Sequence, residues 1–282
     1  ELALVHRAGR FDDSDPRGPR FSWPATRLST RMRGDALAVR LAGPAHVYFE
    51  IEVDGASVGR FETRDGEHRY ALVSGLTVGE HEVAIVRRNE GSFGVVQFLG
   101  FEGAELIPSP SPYRHHIEIV GDSISAGSGI EGTPPCSFSA ATESAYLTYG
   151  AIAARNLKAS LSLVAYSGKG LIQNFGGDTR ERLPTLYRRT LTTERDSRWD
   201  FFAPRDAVIV NLGTNDFSVP VDGARFEAAY VELLREIRGH HPDAIIVAVH
   251  WAHWGKGHEA RVQRAAAALD DERVHTLRMR ID

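Results

Sequence analysis

A serine follows a short apolar run near the middle of the chain, in the stretch His116-Ile117-Glu118-Ile119-Val120-Gly121-Asp122-Ser123. The apolar run predicts a buried strand, and the small residues after it predict a turn where the strand ends. Active sites of open α/β sheets lie beyond the carboxyl ends of the strands, so Ser123 occupies a position suited to a nucleophile. A base that accepts its proton would let it attack an ester carbonyl. The alternative is a turn in which Ser123 only caps the next helix.

Two further polar positions follow predicted strands. Gly168 comes after the run that ends at Ala165, and Asn215 comes after the run that ends at Leu212. A glycine N–H and a side-chain amide are donors that stabilise the oxyanion of acyl transfer, together with the N–H of Ser123 itself. Taken alone, the glycine fits a tight turn, and the asparagine fits a turn or a helix cap. Their common position at one edge of one predicted sheet favours the chemical interpretation.

The elements that must position these groups follow from the second half of the chain, where apolar strands alternate with helical patterns. The predicted strands are Ile117–Val120, Leu161–Ala165, Ala207–Leu212, Ile245–Val249 and Val274–Leu277. The predicted helices are Tyr146–Leu157, Phe226–Ile237 with Gly239 as its cap, and Glu259–Leu269. This alternation predicts a parallel, doubly wound sheet in a three-layer α/β/α domain.

The first half of the chain has a different period. From about Phe21 to Phe101 apolar and polar residues alternate, as half-buried strands require. Asp54-Gly55 between two alternating runs predicts a hairpin, because both residues tolerate positive φ. An all-β jelly-roll sandwich is therefore expected. The proline-rich segment Pro108–Pro112 predicts a short extended linker. We predict a β-sandwich domain at 1–107 and an α/β domain at 108–282.

Composition limits the possible functions. The chain has 282 residues, 42% of them hydrophobic and 25% charged, which is enough for two domain cores. A formal charge of −4 gives no basic field for nucleic-acid binding, and no apolar run approaches the ~18 residues that cross a bilayer. Cys136 is the single cysteine, so no intrachain disulfide forms. Cysteine usage therefore does not distinguish a cytosolic protein from a secreted one. No Cys/His zinc spacing occurs. We expect any signal peptide to be absent or already removed.

Three sequence blocks resemble a known family. Gly121-Asp122-Ser123-Ile124-Ser125, Ser167-Gly168-Lys169-Gly170 and Gly213-Thr214-Asn215-Asp216 are similar, in this order, to the first three blocks of the SGNH (GDSL-type) hydrolases. The first half resembles the jelly-roll domain of the second carbohydrate-esterase family, which includes acetylxylan esterases, at Gly9-Arg10-Phe11, Phe21-Ser22-Trp23-Pro24 and Val53-Asp54-Gly55.

The resemblance implies a secreted or periplasmic bacterial esterase that removes O-acetyl groups from plant polysaccharides such as xylan and mannan. It implies Ser123 as the nucleophile and an oxyanion hole formed by the Ser123 N–H, the Gly168 N–H and the Asn215 side chain. It also implies that neither a metal nor an organic cofactor is needed. The expected partner is an acetylated polysaccharide or oligosaccharide, bound by a monomer, with no nucleic acid and no membrane.

The fourth block of that family, an Asp-x-x-His that supplies the base, is not found where it is expected. Asp65-Gly66-Glu67-His68 has the spacing but lies in a predicted hairpin, and Asp271 and His275 are one residue too far apart. We therefore expect the chain to end before this block, with the catalytic histidine beyond Asp282.

The segment after the fourth predicted strand lies at the active edge of the sheet. His250, His253 and His258 are therefore alternative candidates for the base. We predict Asp122, Trp251 and His253 as substrate contacts, because aromatic surface suits the faces of sugars. The alternative function is a carbohydrate-binding protein of the same fold with an impaired esterase site. An esterase for lipids or another acyl group ranks lower, since no long apolar lid segment occurs.

Overall fold

The computed structural model describes residues 2–251 and 257–279, which form an N-terminal β-sandwich followed by an α/β domain. The strands of the sandwich are β1 (Val5–Ala8), β2 (Arg20–Phe21), β3 (Arg27–Gly34), β4 (Leu37–Gly43), β5 (Tyr48–Val53), β6 (Ala56–Glu62), β7 (Gly66–Val73), β8 (Gly79–Arg87), β9 (Val96–Glu102) and β10 (Glu105–Ile107).

These strands form two antiparallel sheets with an apolar core between them. One sheet has the order β1-β3-β8-β5-β6, with β10 paired to β3, and the other has the order β2-β9-β4-β7. The predicted hairpin at Asp54-Gly55 joins β5 to β6, and both residues have positive φ, 50° and 83°. The predicted alternation fails in β5, which is buried on both faces. Its outward-facing Glu50 and Glu52 bind Arg88 and Arg27 instead of solvent.

The α/β domain contains the remaining elements. Its strands are β11 (His115–Gly121), β12 (Ala159–Ala165), β13 (Ala207–Asn211), β14 (Ile245–Trp251) and β15 (Val274–Met279). Its helices are α1 (Ser123–Ala126), α2 (Tyr149–Asn156), α3 (Leu183–Tyr187), α4 (Gly223–His240) and α5 (His258–Ala267). The predicted boundary at 107/108 falls between β10 and β11.

The five strands form a parallel sheet in the order β12-β11-β13-β14-β15. Apolar side chains cover both faces of the sheet. Ile119 and Leu163 pack on the side of α1 and α2, while Val120 and Val210 pack on the side of α3, α4 and α5. Burial on both faces extends to polar residues of β11 and β12: the buried Ser162 hydroxyl donates to the buried Glu118 Oε2 at 2.8 Å. The fold class predicted from sequence, a β-sandwich followed by a three-layer α/β/α domain, is confirmed.

The three predicted helices differ from the observed ones by one to three residues at each end, and two of these ends have a clear cause. α2 begins at Tyr149 because Thr148 caps it, its side chain accepting the Ala151 N–H. α4 continues through Gly239 to His240, so the predicted glycine cap is wrong and His241 ends the helix. No helix among the described residues has the length and apolar character needed to cross a bilayer.

Candidate active site

Three neighbouring strands end level with one another. β11 is central, and its last residue, Gly121, pairs with the last residue of β12 and the last residue of β13. Ser123, Gly168 and Asn215 lie within four residues of these three strand ends. The parallel register therefore brings the three loops to the same edge of the sheet.

The turn that carries Ser123 depends on two neighbouring residues. A Cβ at Gly121 would lie 2.1 Å from Ser125 Oγ, so only glycine fits there. Asp122 caps α1, its Oδ1 accepting the Ile124 N–H at 3.1 Å. The cap is thus Asp122 and not Ser123, which excludes the alternative that Ser123 only caps a helix. Ser123 is half-buried, and within the described parts of the chain its hydroxyl and N–H have no protein partner.

Gly168 lies in the loop that follows β12, residues 166–170, which we call the β12 loop. Its φ is +76°, a left-handed conformation that glycine adopts without cost. The space where a Cβ would lie is open. Its carbonyl accepts the Phe175 N–H at 2.8 Å. Its own N–H has no acceptor in residues 2–251 and 257–279, so this donor remains available to a ligand.

Asn215 is buried in the loop that follows β13. Its Nδ2 donates to Lys169 O at 2.8 Å, which ties this loop to the β12 loop. A second contact, with Asp122 Oδ2, is 3.3 Å long and correspondingly weak. The arrangement thus provides a hydroxyl, two backbone donors and one amide donor at one sheet edge.

Asp122 is completely buried, and its contact with substrate stays a prediction. Burial raises the pKa of its carboxyl to about 7, and the charge of Asp216 acts in the same direction, while the Ile124 N–H and Thr214 lower it. Its role in the structure is to cap α1 and to lie beside Asn215. A prediction from sequence misses this because burial of a turn residue depends on the loops that cover it.

Trp251 is also buried, and its place in a substrate cleft stays a prediction. Its indole N–H donates to Asn211 Oδ1 at 2.8 Å, and Asn211 Nδ2 contacts Tyr149 Oη at 3.3 Å. Tyr149 in turn shares a hydrogen bond of 2.8 Å with Ser125 of α1. Trp251 is therefore connected through Asn211 and Tyr149 to α1, the helix that begins at Ser123. His253, the third predicted substrate contact, lies outside the described residues.

The histidines of the described residues do not supply a base. His250 is buried 3.7 Å from Glu259, and His258 Nε2 bonds to Leu212 O at 3.0 Å. Burial lowers the pKa of both imidazoles. His275 is exposed on β15, and His68 bonds to a carbonyl within the sandwich. In residues 2–251 and 257–279, no histidine hydrogen-bonds to the Ser123 hydroxyl.

Asp216 organises the site, although reasoning from sequence did not select it. Its buried carboxylate accepts the N–H groups of Leu171, Ile172 and Gln173 at distances of 2.7 to 3.1 Å. Burial raises its pKa and these N–H groups oppose that effect. The only signal in the sequence is its place directly after Asn215. Nothing local indicates that it binds a loop 43 to 45 residues away.

Two family models match the chain. The model "Carbohydrate esterase 2 N-terminal" matches residues 7–110, and the "GDSL-like Lipase/Acylhydrolase family" matches residues 119–277. "Cellulase/esterase CelE" of Acetivibrio thermocellus is 39% identical over 256 residues, which are 88% of this chain and 31% of that protein. The chain thus spans about a third of that relative. An "Acetylxylan esterase / glucomannan deacetylase" of Cellvibrio japonicus is 29% identical over 247 residues, 85% of this chain and 69% of that protein.

Solved structures agree with these matches. A family two carbohydrate esterase from Clostridium thermocellum in complex with cellohexaose has a TM-score of 0.93 at 35% identity, covering 97% of this chain and 88% of that chain. A family two carbohydrate esterase from Cellvibrio japonicus has a TM-score of 0.90 at 25% identity, covering 98% of this chain and 86% of that chain. The chain therefore belongs to the family two carbohydrate esterases, within the GDSL-like lipase/acylhydrolase family.

Proposed function

We propose that this chain is a serine esterase that removes O-acetyl groups from polysaccharides such as xylan or mannan through an acetyl-enzyme intermediate. The observation that carries the proposal is that β11, β12 and β13 end at the same edge of the sheet, with their last residues paired. A nucleophile and two oxyanion donors follow directly after these ends. A site that only binds carbohydrate has no need for donors aimed at a developing oxyanion.

In the first step, Ser123 Oγ attacks the acetyl carbonyl carbon while a base accepts its proton. The carbonyl oxygen becomes an oxyanion and accepts hydrogen bonds from the N–H groups of Ser123 and Gly168 and from Asn215 Nδ2. The tetrahedral intermediate then collapses, and its bond to the sugar oxygen breaks. The sugar takes the proton from the base and leaves as an alcohol, and the acetyl group stays on Ser123.

In the second step, water attacks the acetyl carbon while the base accepts a proton from it. The same donors hold the new oxyanion. Collapse breaks the bond to Ser123 Oγ, which takes the proton back, and acetate leaves. We assign the base to a histidine outside the described residues, because the histidines within them are bonded elsewhere. Without a base, such a site retains only the part of catalysis that comes from the oxyanion hole and binding.

An exposed aromatic ring beside the site supports a sugar substrate. Phe175 is 70% exposed, and its N–H donates to Gly168 O at 2.8 Å. The backbone of Phe175 is therefore attached to the β12 loop. Its exposed ring offers an apolar face that can pack against a sugar ring. The names of the relatives, a cellohexaose complex and an acetylxylan esterase among them, point to the same class of substrate. Because such polymers do not enter cells, we place the reaction outside the cytoplasm.

A carbohydrate-binding protein with an impaired esterase site is the second candidate. One observation favours it: within the described parts of the chain, no histidine contacts the Ser123 hydroxyl. The two candidates make opposite predictions about acetate release and the same prediction about binding to xylan.

Acetate release from acetylated xylan and from an aryl acetate tests the proposal, using the full gene product and its Ser123→Ala variant. We expect the variant to be slower by at least about 10³-fold, because the nucleophile is lost. Ser137→Ala, a change at an exposed serine in the neighbouring loop, is the matched control and should keep the wild-type rate. Equal rates for wild type and Ser123→Ala would contradict the esterase. Retention of both on acetylated xylan in affinity electrophoresis, without acetate release, would favour the binding protein.

A further inference from the structure

A carboxylate of the N-terminal domain contacts the candidate active site directly. Glu90 follows β8 and is almost completely buried at the contact between the domains. Its Oε2 accepts the N–H of Ser167 at 2.7 Å, and its Oε1 accepts the Ser92 hydroxyl at 2.8 Å. A charged acceptor makes short and strong hydrogen bonds of this kind. Because Ser167 directly precedes Gly168, Glu90 holds the residue before the candidate oxyanion donor.

Three of the hydrogen bonds of the β12 loop hold the residues around the Gly168 N–H. Glu90 binds the Ser167 N–H, the Phe175 N–H binds Gly168 O, and Asn215 Nδ2 binds Lys169 O. The peptide N–H of Gly168 lies between the first and the second of these bonds. Of the three, the bond to Glu90 is the one that the other domain supplies. Loss of this bond would free one end of the peptide unit whose N–H must point at the oxyanion.

A second buried carboxyl, Glu143, lies beside Glu90. The Glu90 N–H donates to Glu143 Oε2 at 3.4 Å, and both side chains are almost completely buried. Glu143 Oε1 is buried and has no hydrogen-bond donor among the described residues, as expected if this oxygen carries a proton. The Arg87 guanidinium, completely buried, donates to Asn89 O and Glu90 O. One cation thus faces two carboxyls.

These charges predict that the pair keeps one proton at neutral pH. Two adjacent buried carboxyls cannot both ionise against a single cation. Burial and the charge of Glu90 raise the pKa of Glu143 to about 8, and burial also raises the pKa of Glu90. Within residues 2–251 and 257–279, Arg87 from the end of β8 and Tyr166 from the β12 loop also face the pair, and burial lowers the pKa of Arg87 to about 9. Burial raises the pKa of Tyr166, which keeps its hydroxyl neutral in this range.

The segment that carries Glu143 is also attached to the nucleophile helix. Ser144 donates its N–H to Gly127 O at 3.1 Å, and the Gly127 N–H donates to Ser123 O at 2.9 Å. The Glu90–Glu143 pair therefore lies between the end of α1 on one side and the β12 loop on the other. A change in the separation of the two carboxyls would move one of these elements relative to the other.

We propose that Glu90 is a positioning residue of the esterase reaction, which it serves by holding Ser167, and that a proton shared with Glu143 keeps Glu90 in place. The proposal rests on the proposed function above. Glu90 acts through the β12 loop and touches no substrate, so its loss should lower kcat more than it raises KM. Loss of the shared proton leaves two buried negative charges against Arg87, and their repulsion works against the bond to Ser167. The kcat should therefore fall as pH rises through about 8.

Steady-state kinetics on an aryl acetate, from pH 6 to pH 10, test both parts of the proposal. Glu90→Ala removes the acceptor and should lower kcat by about 10- to 100-fold, a fraction of what the loss of a whole oxyanion donor costs, with little change in KM. Glu90→Gln keeps an acceptor oxygen for Ser167 and an N–H₂ donor for Glu143, so it should restore most of kcat. Glu143→Gln is neutral at every pH, so it should match the wild type at pH 7 and lose the fall above pH 8.

Glu131→Gln is the matched control. Glu131 is also a carboxylate between the domains, but it binds Arg60 and Arg88 and not the β12 loop. Its kcat should equal that of the wild type. Equal losses of kcat in Glu131→Gln and Glu90→Ala would mean that Glu90 only joins the domains, which overturns the proposal. A kcat of Glu90→Ala within twofold of the wild type, or an alkaline fall that persists in Glu143→Gln, would also overturn it.

Amide hydrogen exchange of the segment 166–175 provides a readout that does not require turnover. Exchange should be faster in Glu90→Ala than in the wild type and unchanged in Glu131→Gln, because a single anchor of the segment is lost. Unchanged exchange in Glu90→Ala contradicts the proposal whether or not the protein is an esterase. Equal hydrolysis rates for the wild type and Ser123→Ala would instead contradict the proposed function, and the exchange result would still decide whether Glu90 anchors the loop.

Discussion

Asn215 combines a structural contact with the chemical role that we propose for it. One Nδ2 contact, with Lys169 O, ties two loops together, and the other, with Asp122 Oδ2, is long enough to be exchanged for an oxyanion. The remaining two donors of the candidate oxyanion hole are backbone N–H groups, which substitution does not remove. Asn215 is therefore the residue at which oxyanion stabilisation can be tested most directly.

Asn215→Ala should lower kcat for an aryl acetate by about 10²- to 10³-fold, with KM nearly unchanged, because one donor to the oxyanion is lost. Gln173→Ala is the control, since Gln173 Nε2 supports the same pair of loops through Asp216 O without being a donor at Ser123. A loss of less than tenfold in Asn215→Ala, or the same loss in Gln173→Ala, would show that the amide serves structure alone.

At the scale of elements, the loops after β12 and β13 behave as one unit because Asp216 joins them. Asp216 Oδ1 accepts the N–H groups of Ile172 and Gln173 at 2.7 and 3.1 Å, and Oδ2 accepts that of Leu171 at 2.9 Å. These N–H groups lie outside the helices and strands, so no helix or sheet supplies acceptors for them. A buried N–H group without an acceptor destabilises the fold. The Asp216 carboxylate therefore fixes the path of the backbone in the segment that follows Gly168.

Asp216→Ala should lower the free energy of unfolding by about 3 kcal/mol or more, because three N–H groups lose their acceptor at about 1–3 kcal/mol each. Asp216→Asn should recover a large part of this loss, since one amide oxygen in the place of Oδ1 can still accept. Urea unfolding at pH 7 measures both values. Equal destabilisation of the two variants would mean that the charge, and not the acceptor geometry, holds the loop.

At the scale of the whole molecule, a buried ion pair joins the two domains. Arg10 of the sandwich domain donates to Glu118 of β11 at 3.1 Å, and neither side chain is exposed. Arg10 also donates to the carbonyls of Tyr187 and Arg189. Burial by itself raises the pKa of Glu118, but Arg10, His241 and Arg205 outweigh it and hold that pKa well below its usual range. The buried positive charge of Arg10 in one domain and the buried negative charge of Glu118 in the other therefore compensate each other.

Arg10→Ala should destabilise the protein by about 3–5 kcal/mol at pH 7, because it leaves Glu118 charged and buried without its main partner. The depressed pKa of Glu118 means that the pair contributes fully above the unfolded carboxyl pKa of about 4.3 and that this contribution is lost as pH falls. The destabilisation by Arg10→Ala should thus stay constant from pH 7 to about pH 5 and shrink as the pH falls below about 4. Arg17→Ala, at an exposed ion pair, is the control and should leave the unfolding midpoint unchanged.

A destabilisation by Arg10→Ala that stays the same from about pH 5 down to about pH 3 would contradict this account. Lost packing of the long side chain does not depend on the ionisation of Glu118, whereas a lost charge partner does. The urea midpoint measured across this pH range separates the two effects.

Local patterns in the sequence were sufficient to predict the main strands and helices of the fold. The apolar run before Gly121 predicts a buried strand because burial on both faces demands it, and Asp54-Gly55 predicts a hairpin because both residues tolerate positive φ. The order of strands and helices then predicts a parallel sheet, whose strand ends carry Ser123, Gly168 and Asn215. Each of these inferences depends on residues that are neighbours in the chain.

The environment of each side chain was decided by tertiary structure alone. Asp122 and Trp251 follow strand ends, as substrate contacts would, yet other elements cover both of them. Glu90 and Asp216 gave no local signal, because their partners lie 77 residues and 43 to 45 residues away in the chain. The sequence by itself determined which loops meet at the edge of the sheet. Which side chains remain accessible there, and which carboxylates hold the loops, depends on packing between segments that only folding brings together.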